Sequence, residues 1–337
     1  MAAPAGASIA RSSPRRHERF LTTVKNAQRL AFATAIATVV LIGVGVLVRA
    51  TGSGLGCPDW PTCHGGVVPP VQKHAIIEMS HRFTASLVGF MVIGVAIMAW
   101  RHYRHNRLIV RMALLTVPLV GFQGLLGAVT VKRELPPEVV ATHLLTAMVV
   151  LSCELTVAWA MFLENPNSPA RWRSIARPAR ARLGLLALAG LGWLAAVLWV
   201  GGYMSESGAS TACSGWPTCN GSVLPGADSQ EVTHMLHRYL AGAFMFVLLP
   251  FLIAAWRRRK DVPWSGAAAL AGGVLYIIQV AVGAANVWLT FPDVLTVLHT
   301  VIASGVWFTL SCAIVLAWYV PAARGRATLP TGREVPA

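Results

Sequence analysis

A carboxylate, an imidazole and a guanidinium group stand close together where a long apolar run begins, in the segment Glu78-Met79-Ser80-His81-Arg82. Residues three or four positions apart on a helix lie on one face. A helix here therefore places the acid of Glu78 beside the imidazole of His81, which is a potential iron ligand. Such a pair suits proton transfer, charge stabilisation and metal ligation at a membrane boundary.

The same unit occurs again 156 residues later, with one difference. The pair His237-Arg238 repeats the first histidine and arginine, but His234 stands where the first copy has Glu78. The same ungapped shift pairs Cys57 with Cys213, Trp60 with Trp216, Cys63 with Cys219, Pro69 with Pro225, Gln123 with Gln279, Gly127 with Gly283 and His143 with His299. So many matches at one offset predict a tandem duplication.

The composition is that of a membrane protein. Of the 337 residues, 55% are hydrophobic and only 12% are charged, whereas soluble domains carry about 25% charged residues. Eight apolar stretches are close to the roughly 20 residues that cross a hydrocarbon core: 28–49, 79–100, 110–131, 138–162, 183–203, 233–256, 266–289 and 294–320. The prediction is an all-α integral membrane protein of eight transmembrane helices, forming two tandem four-helix bundles related by a pseudo-twofold axis.

The basic residues indicate the orientation of these helices. Of the 28 Lys and Arg residues, 22 lie in or directly beside the terminal tails and the connections after the second, fourth and sixth spans, counting Arg29 and Arg111 just inside their spans. The positive-inside rule therefore places both termini in the cytoplasm. The net charge of +15 is explained by this topology, and we expect no binding to nucleic acid. The expected regions are a cytoplasmic tail (1–26), a first half (27–163), a cytoplasmic linker (164–182), a second half (183–320) and a cytoplasmic tail (321–337).

The predicted membrane is the cell membrane, with the loops opposite the termini outside the cytoplasm. The first tail is rich in Arg and Ser between Ser8 and Phe20, which resembles a mitochondrial presequence. A mitochondrial inner membrane is therefore an alternative. It is less favoured, because a short cytoplasmic tail explains the same segment more simply.

Two Cys-x5-Cys loops lie on the predicted outer side, where disulfides persist. The expected pairs are Cys57–Cys63 and Cys213–Cys219. A structural link and a redox role both stay open. A zinc site is disfavoured, because only His64 offers a further ligand and Asn220 stands at the matching position.

Four histidines lie near the outer ends of the even-numbered spans. They are His81 and His143 in the first copy and His237 and His299 in the second. Polar groups within spans are costly and face the interior of a bundle. Two imidazoles from two helices of one bundle suit axial ligation of one haem iron. Another metal or a structural role stays open, although copper or zinc would want further ligands and no third ligand repeats.

Four further polar residues adjoin these histidines. Arg82 and Arg238 could pair with haem propionates or extend to lipid headgroups. Gln123 and Gln279 lie in spans three and seven, where their amides could bond a ligand histidine, a haem substituent or a neighbouring helix.

On these residues the chain resembles the haem A synthase family, membrane enzymes that convert haem O into haem A for terminal oxidases. The resemblance covers about residues 27–320. It rests on the eight spans in two halves, the Glu78-x-x-His81-Arg82 unit, the three other histidines and the paired cysteines. It implies oxidation of the C8 methyl group of the porphyrin to a formyl group through a hydroxymethyl intermediate.

The resemblance also implies different tasks for the two halves. Haem b would lie in the second half between His237 and His299, and the substrate haem O in the first half between His81 and His143. Glu78 would be the catalytic carboxylate. Implied partners are haem O, haem A, membrane lipid, the farnesyltransferase that makes haem O, assembly factors of the terminal oxidase, an electron acceptor of unidentified kind and a second copy of the chain.

Two other classes of protein compete with this interpretation. A b-type electron-transfer protein with two haems would explain the histidines and the duplication but not Glu78. A transporter built from repeated bundles fits less well, because the histidines lie near one face of the membrane and no broken helix is evident in the sequence.

Overall fold

A computed structural model describes residues 14–164, 177–260, 262 and 264–319 of the chain. Within these ranges it contains eight long helices: α1 (Pro14–Ala50), α2 (Lys73–His102), α3 (Arg107–Lys132), α4 (Pro137–Glu164), α5 (Arg177–Glu206), α6 (Ser229–Arg257), α7 (Ser265–Trp288) and α8 (Asp293–Trp318). All eight are long and apolar enough to cross a membrane. The prediction of an all-α protein with eight transmembrane helices is confirmed, and the protein is a multi-pass membrane protein.

Some helices extend beyond the predicted spans. α1 begins at Pro14, although its apolar part begins only at Val24, and α2 begins at Lys73, before the predicted start at residue 79. Hydropathy marks the part of a helix that crosses the hydrocarbon core, whereas the backbone hydrogen bonds continue into polar residues at its ends. Glu78 consequently lies in the second turn of α2.

Parts of the predicted tails and linker lie outside the described residues. These parts are residues 1–13, 165–176 and 320–337, which include the predicted end of the last span. The remainder of the linker differs from the expectation, because α5 already begins at Arg177.

The helices pack as two groups of four. α1 to α4 contact one another in a ring, as do α5 to α8, and the groups meet through α1, α4, α5 and α8. α4 and α8 are the most buried of the eight, whereas α2, α3, α6 and α7 leave broad faces exposed. Those faces carry apolar side chains such as Phe90 and Phe246, which suits contact with lipid.

Polar contacts join the two groups of helices. Trp307 Nε1 donates a hydrogen bond to Ser152 Oγ at 2.9 Å, and the hydroxyls of Ser152 and Ser311 lie 3.0 Å apart. Just beyond α8, Tyr319 donates its hydroxyl proton to Glu164 Oε1 at 2.7 Å. Burial and the neighbouring Glu164 raise the pKa of Tyr319, so that its hydroxyl keeps the proton that it donates.

Local structure recurs 156 residues apart in the two Cys-x5-Cys loops. Both contain a cis proline bond, at Trp60–Pro61 and Trp216–Pro217. Both contain an antiparallel bridge next to the second cysteine, between Cys63 and Gly66 and between Cys219 and Ser222. These matches agree with the shift seen in the sequence; the tandem duplication, the pseudo-twofold axis and the cytoplasmic termini stay predictions.

Candidate functional site

Both expected disulfides are present. They are Cys57–Cys63 and Cys213–Cys219, each with Cα atoms 4.6 Å apart. The first packs against Met79 of α2 and the second against Met235 of α6, and all of these side chains are buried. Each disulfide loop therefore sits as a cap on the first turns of the helix that carries the first histidine of its half.

Arginine side chains fasten these loops to the helices. Arg82 donates to four backbone carbonyl oxygens of the first loop, those of Cys57 at 3.0 Å, Asp59 at 2.7 Å, Pro61 at 3.4 Å and Thr62 at 2.5 Å. A guanidinium group offers five donors in a fixed fork, and here much of that fork is used within the protein. Its predicted contact with a haem propionate stays a prediction.

Arg238 repeats this arrangement in the second half. Its Nη1 donates to the carbonyl oxygens of Gly215 at 2.8 Å, Pro217 at 3.2 Å and Thr218 at 2.9 Å. The two arginines thus have the same structural task, and the difference between the halves lies in the residue one turn before each of them.

In the first half that residue is Glu78, of which only 4% is exposed. One carboxylate oxygen, Oε2, accepts a hydrogen bond from the backbone N–H of Cys57 at 2.7 Å. The other, Oε1, forms an ion pair with Arg82. The carboxylate is therefore oriented by the disulfide loop on one side and by a cation of its own helix on the other.

In the second half the matching residue is His234, which is 2% exposed. Its Nδ1 lies 2.9 Å from the carbonyl oxygen of Ala209, and its Nε2 lies 2.8 Å from Nη2 of Arg238. A carbonyl oxygen and a guanidinium group fix the roles of the two nitrogens: Nδ1 donates its proton and Nε2 accepts. His234 is therefore a neutral connector where Glu78 places an acid.

The loops are organised internally by different residues. Asp59 accepts hydrogen bonds from the hydroxyl of Thr62 and the backbone N–H groups of His64 and Gly65. The Thr62 hydroxyl, followed by the Gly65 N–H group, lowers the pKa of Asp59 to about 2. In the second loop the amide of Asn220 has this task, since its Oδ1 accepts from the N–H group of Ser214 at 3.0 Å.

The four histidines each lie against a glycine of a neighbouring helix. A methyl group added to the glycine would lie close to Cε1 of the imidazole: 3.0 Å for Gly45 and His81, 3.8 Å for Gly127 and His143, 2.7 Å for Gly201 and His237, and 3.0 Å for Gly283 and His299. All four Nδ1 atoms are buried without a hydrogen-bond partner.

The two glutamines differ between the halves. Gln123 Nε2 donates to the carbonyl oxygen of His143 at 3.1 Å and to Oγ1 of Thr146 at 2.7 Å, which is an interhelical contact. Gln279 Nε2 instead lies 3.1 Å from Nε2 of His299, the imidazole itself. Both kinds of contact, to a neighbouring helix and to a ligand histidine, are compatible with the sequence.

A cavity of about 510 Å³ lies in the second half, within the roughly 300–1,000 Å³ of small-molecule and cofactor sites. Its polar wall includes His237, His299, Gln279 and Arg238. The first half contributes Arg49, which lines the cavity and pairs with Glu206 at 3.5 Å.

These residues fit a haem in chemical type. In each half, two imidazoles whose Nδ1 atoms have no partner match axial ligation. Three of the four neighbouring glycines, Gly45, Gly201 and Gly283, leave no room for a methyl group without a shift of the imidazole, and the cavity of the second half is mostly apolar. Copper or zinc would want further ligands, and among the described residues no group of three His, Cys, Asp or Glu side chains is placed to hold a metal ion.

Sequence reasoning missed three residues of these sites. Gly45 and Gly201 are themselves 156 residues apart, so that the repeat offered a signal for them. Arg49 gave no such signal, because its counterpart is Ser205, with which it forms a hydrogen bond. Its position in the wall of the cavity of the second half follows only from how the two halves pack together.

Comparison with known proteins identifies the family. The family model described as COX15-CtaA, cytochrome oxidase assembly protein, matches residues 28–76 and 71–311. A protein of Halalkalibacterium halodurans named haem A synthase is 33% identical over 291 residues, which are 84% of this chain and 94% of that protein. Proteins of the same name from Symbiobacterium thermophilum and Shouchella clausii are 32% and 31% identical, covering 90% and 87% of this chain and 96% and 97% of their own lengths. The chain belongs to the COX15-CtaA family of cytochrome oxidase assembly proteins.

Proposed function

We propose that this protein is a haem A synthase, which oxidises the C8 methyl group of haem O to a formyl group through a hydroxymethyl intermediate and so supplies a cofactor of terminal oxidases. One observation carries the proposal most directly. Both halves hold a pair of imidazoles against glycines, but only the first half places a buried carboxylate three residues before its first candidate ligand, His81. The similarity to proteins named haem A synthase supports it.

The two halves take different haems in this proposal. His81 and His143 would hold the substrate, haem O, in the first half. His237 and His299 would hold haem b in the second half, in the cavity that Arg49 and Arg238 help to line. When bound, haem b supplies one-electron redox chemistry.

Glu78 is the proposed catalytic residue. Its carboxylate can stabilise positive charge that develops on the substrate carbon or accept a proton from attacking water. The N–H group of Cys57 and the guanidinium of Arg82 orient it. A group held by two partners keeps its position during the reaction, which is what electrostatic preorganisation requires. The Cys57–Cys63 disulfide acts here as a support for the acid, because it closes the loop whose N–H group binds Oε2.

The setting of the enzyme is part of the proposal. The disulfide loops would face the outside of the cell membrane and both termini the cytoplasm. The proposed partners are the farnesyltransferase that makes haem O, assembly factors of the terminal oxidase, an electron acceptor and further copies of this chain.

Expression in a bacterial host that makes haem O but lacks its own haem A synthase tests the function. Haems extracted from the membranes would be separated by chromatography. Haem A should appear only when this chain is expressed. A purified chain that carries b-type haems while the host accumulates haem O alone would contradict the proposal and favour a two-haem electron-transfer protein.

A further inference from the structure

A second glutamate of the first half is buried in the middle of the bundle. Glu154 of α4 is 5% exposed, and neither of its carboxylate oxygens has a hydrogen-bond partner. Among the described residues it forms no ion pair. A charged carboxylate in such apolar surroundings is costly, so that the neutral, protonated form is the stable one.

A small cavity adjoins this carboxyl group. It measures about 10 Å³ and is lined by all four helices of the first half, with Thr34 of α1 and Thr116 of α3 beside Glu154. A single water molecule needs roughly 10–15 Å³ and two to four polar partners. Both threonine hydroxyls donate to carbonyl oxygens of their own helices, of Leu30 and Met112, each at 2.8 Å. Their oxygens keep lone pairs that can accept a further hydrogen bond.

The second half has no such group of polar residues. The 156-residue shift replaces Glu154, Thr34, Thr38 and Thr116 by Leu310, Gly190, Leu194 and Gly272. Leu310 is fully buried and lies against Gly190, where an added methyl group would be 3.3 Å from its Cδ1 atom. An apolar side chain can therefore fill this position in a four-helix bundle. The carboxyl group of Glu154 is not needed in the first half for packing.

We propose that Glu154, with Thr34, Thr38 and Thr116, forms a buried site that binds one water molecule and holds an exchangeable proton within the first half. The water accepts a hydrogen bond from the protonated carboxyl and donates to the oxygens of Thr34 and Thr116. This gives it three hydrogen bonds, the usual number for buried water. The hydroxyl of Thr38, which is also buried, lies near the carboxyl but outside the lining of the cavity.

The site lies on the same helix faces as the candidate haem ligands. Glu154 follows His143 by eleven residues on α4, which is close to three full turns and about 16 Å along the axis. On α1, Thr34 and Thr38 are one turn apart, and Gly45, against which His81 packs, lies two turns further along. The proposed proton site and the imidazoles thus face the same bundle interior. The site does not depend on which reaction this half performs.

Infrared spectroscopy of the purified, haem-loaded protein in lipid tests the site. The variant is Glu154→Gln, which keeps the shape and removes the acid. The matched control is Glu164→Gln, on the same helix, because Glu164 is also buried but has the hydroxyl of Tyr319 and the amide of Asn106 as partners. A protonated-carboxyl C=O band should be lost in E154Q and kept in E164Q. In the wild type this band should shift in D2O, because a water-bound proton exchanges.

Three outcomes would overturn the proposal. Identical spectra of the wild type and E154Q in the protonated-carboxyl region would show that Glu154 holds no proton. A band that E154Q removes but D2O does not shift would exclude exchange with water. A carboxylate signal of Glu154 that depends on added sodium ions would identify a cation site instead.

A second variant, Glu154→Leu, separates this role from folding. It reproduces the side chain of Leu310, so that the protein should fold with an unchanged or higher midpoint of thermal unfolding, and it should lack the same infrared band. A large drop in the midpoint for both E154L and E154Q, with no change in the band, would assign Glu154 a structural task and contradict the proton site.

Discussion

The two halves of this molecule share the contacts that hold their disulfide loops and histidines in place, but they differ in their buried acidic residues. In each half a disulfide loop packs on the helix that carries the first candidate haem ligand, an arginine binds the loop carbonyl oxygens, and glycines lie against the imidazoles. Only the first half contains buried carboxyls at the positions of Glu78 and Glu154, where the second half has His234 and Leu310. Because these contacts are shared, we propose that both halves hold the same kind of ligand. Because the acids are not shared, we propose that only the first half changes its ligand.

Removal of one histidine from each half should separate the two sites. We expect His299→Ala to lose the bound haem b, with affinity falling by at least the roughly 10–100-fold seen when outer-shell partners of a metal ligand are removed. His143→Ala should keep haem b and lose haem A formation. The absorbance spectrum of the purified variants and chromatography of the extracted haems measure both. Equal loss of haem b in the two variants would contradict separate tasks for the halves.

Arg82 and Arg238 should stabilise their disulfide loops equally, but only Arg82 should affect the catalytic acid Glu78. Arg82→Ala and Arg238→Ala each remove hydrogen bonds from a charged donor, and we expect each to lower the free energy of unfolding by about 2 kcal/mol. Only Arg82→Ala also releases Glu78 from its ion pair, and it should reduce haem A formation further. Thermal unfolding and haem extraction measure the two effects. A larger loss of haem A in R238A than in R82A would reverse this assignment.

The glycine beside His237 offers a steric test of the second site. Gly201→Ala places a methyl group 2.7 Å from Cε1 of that imidazole, and such overpacking costs about 1–3 kcal/mol. The displaced ring should lower the occupancy of haem b, measured as haem absorbance per protein. Gly192→Ala on the same helix is the control, because an added methyl group there meets no atom within 4 Å. Full occupancy in G201A would mean that the ring does not bind the iron in this position.

The smallest expected effect is that of low pH on the stability of the Cys57–Cys63 loop. The pKa of Asp59 is lowered to about 2 from about 4 in the unfolded chain. Its contribution to stability is therefore present above pH 4 and is lost as the pH falls towards 2. Reduction of Cys57–Cys63 by a phosphine should speed up over this range relative to Cys213–Cys219, whose loop relies on the neutral Asn220. In Asp59→Asn the difference in pH dependence should disappear.

The sequence predicted the large features because each depends on a repeated or periodic signal. The spans follow from hydropathy, and the disulfides and the histidine sets follow from the 156-residue shift. The contacts of Glu78 did not follow, because the position of the Cys57 N–H group depends on how the loop folds over α2. The sequence suggests haem propionates or lipid as partners of Arg82, since no sequence pattern shows that loop carbonyl oxygens lie within its reach.

Glu154 escaped sequence analysis for a different reason. It is an acid in the middle of a long apolar helix, and no matched residue in the second copy drew attention to it. Its meaning depends on burial and on the threonines of α1 and α3 that packing brings beside it. The two halves differ in chemistry at positions where the repeat is not kept, such as Glu78 and Glu154. A search for matching residues does not find such positions.

Replacing Glu78 by histidine gives the first half the residue that the second half has at this position, and it tests the central claim most directly. Haems extracted from a host that makes haem O would be compared for the wild type and Glu78→His. We predict that E78H keeps haem b and accumulates haem O, with haem A formation reduced on the order of 100-fold or more, as for the loss of a general acid–base group. Haem A formation at the wild-type rate would contradict the assignment of Glu78 as the catalytic residue.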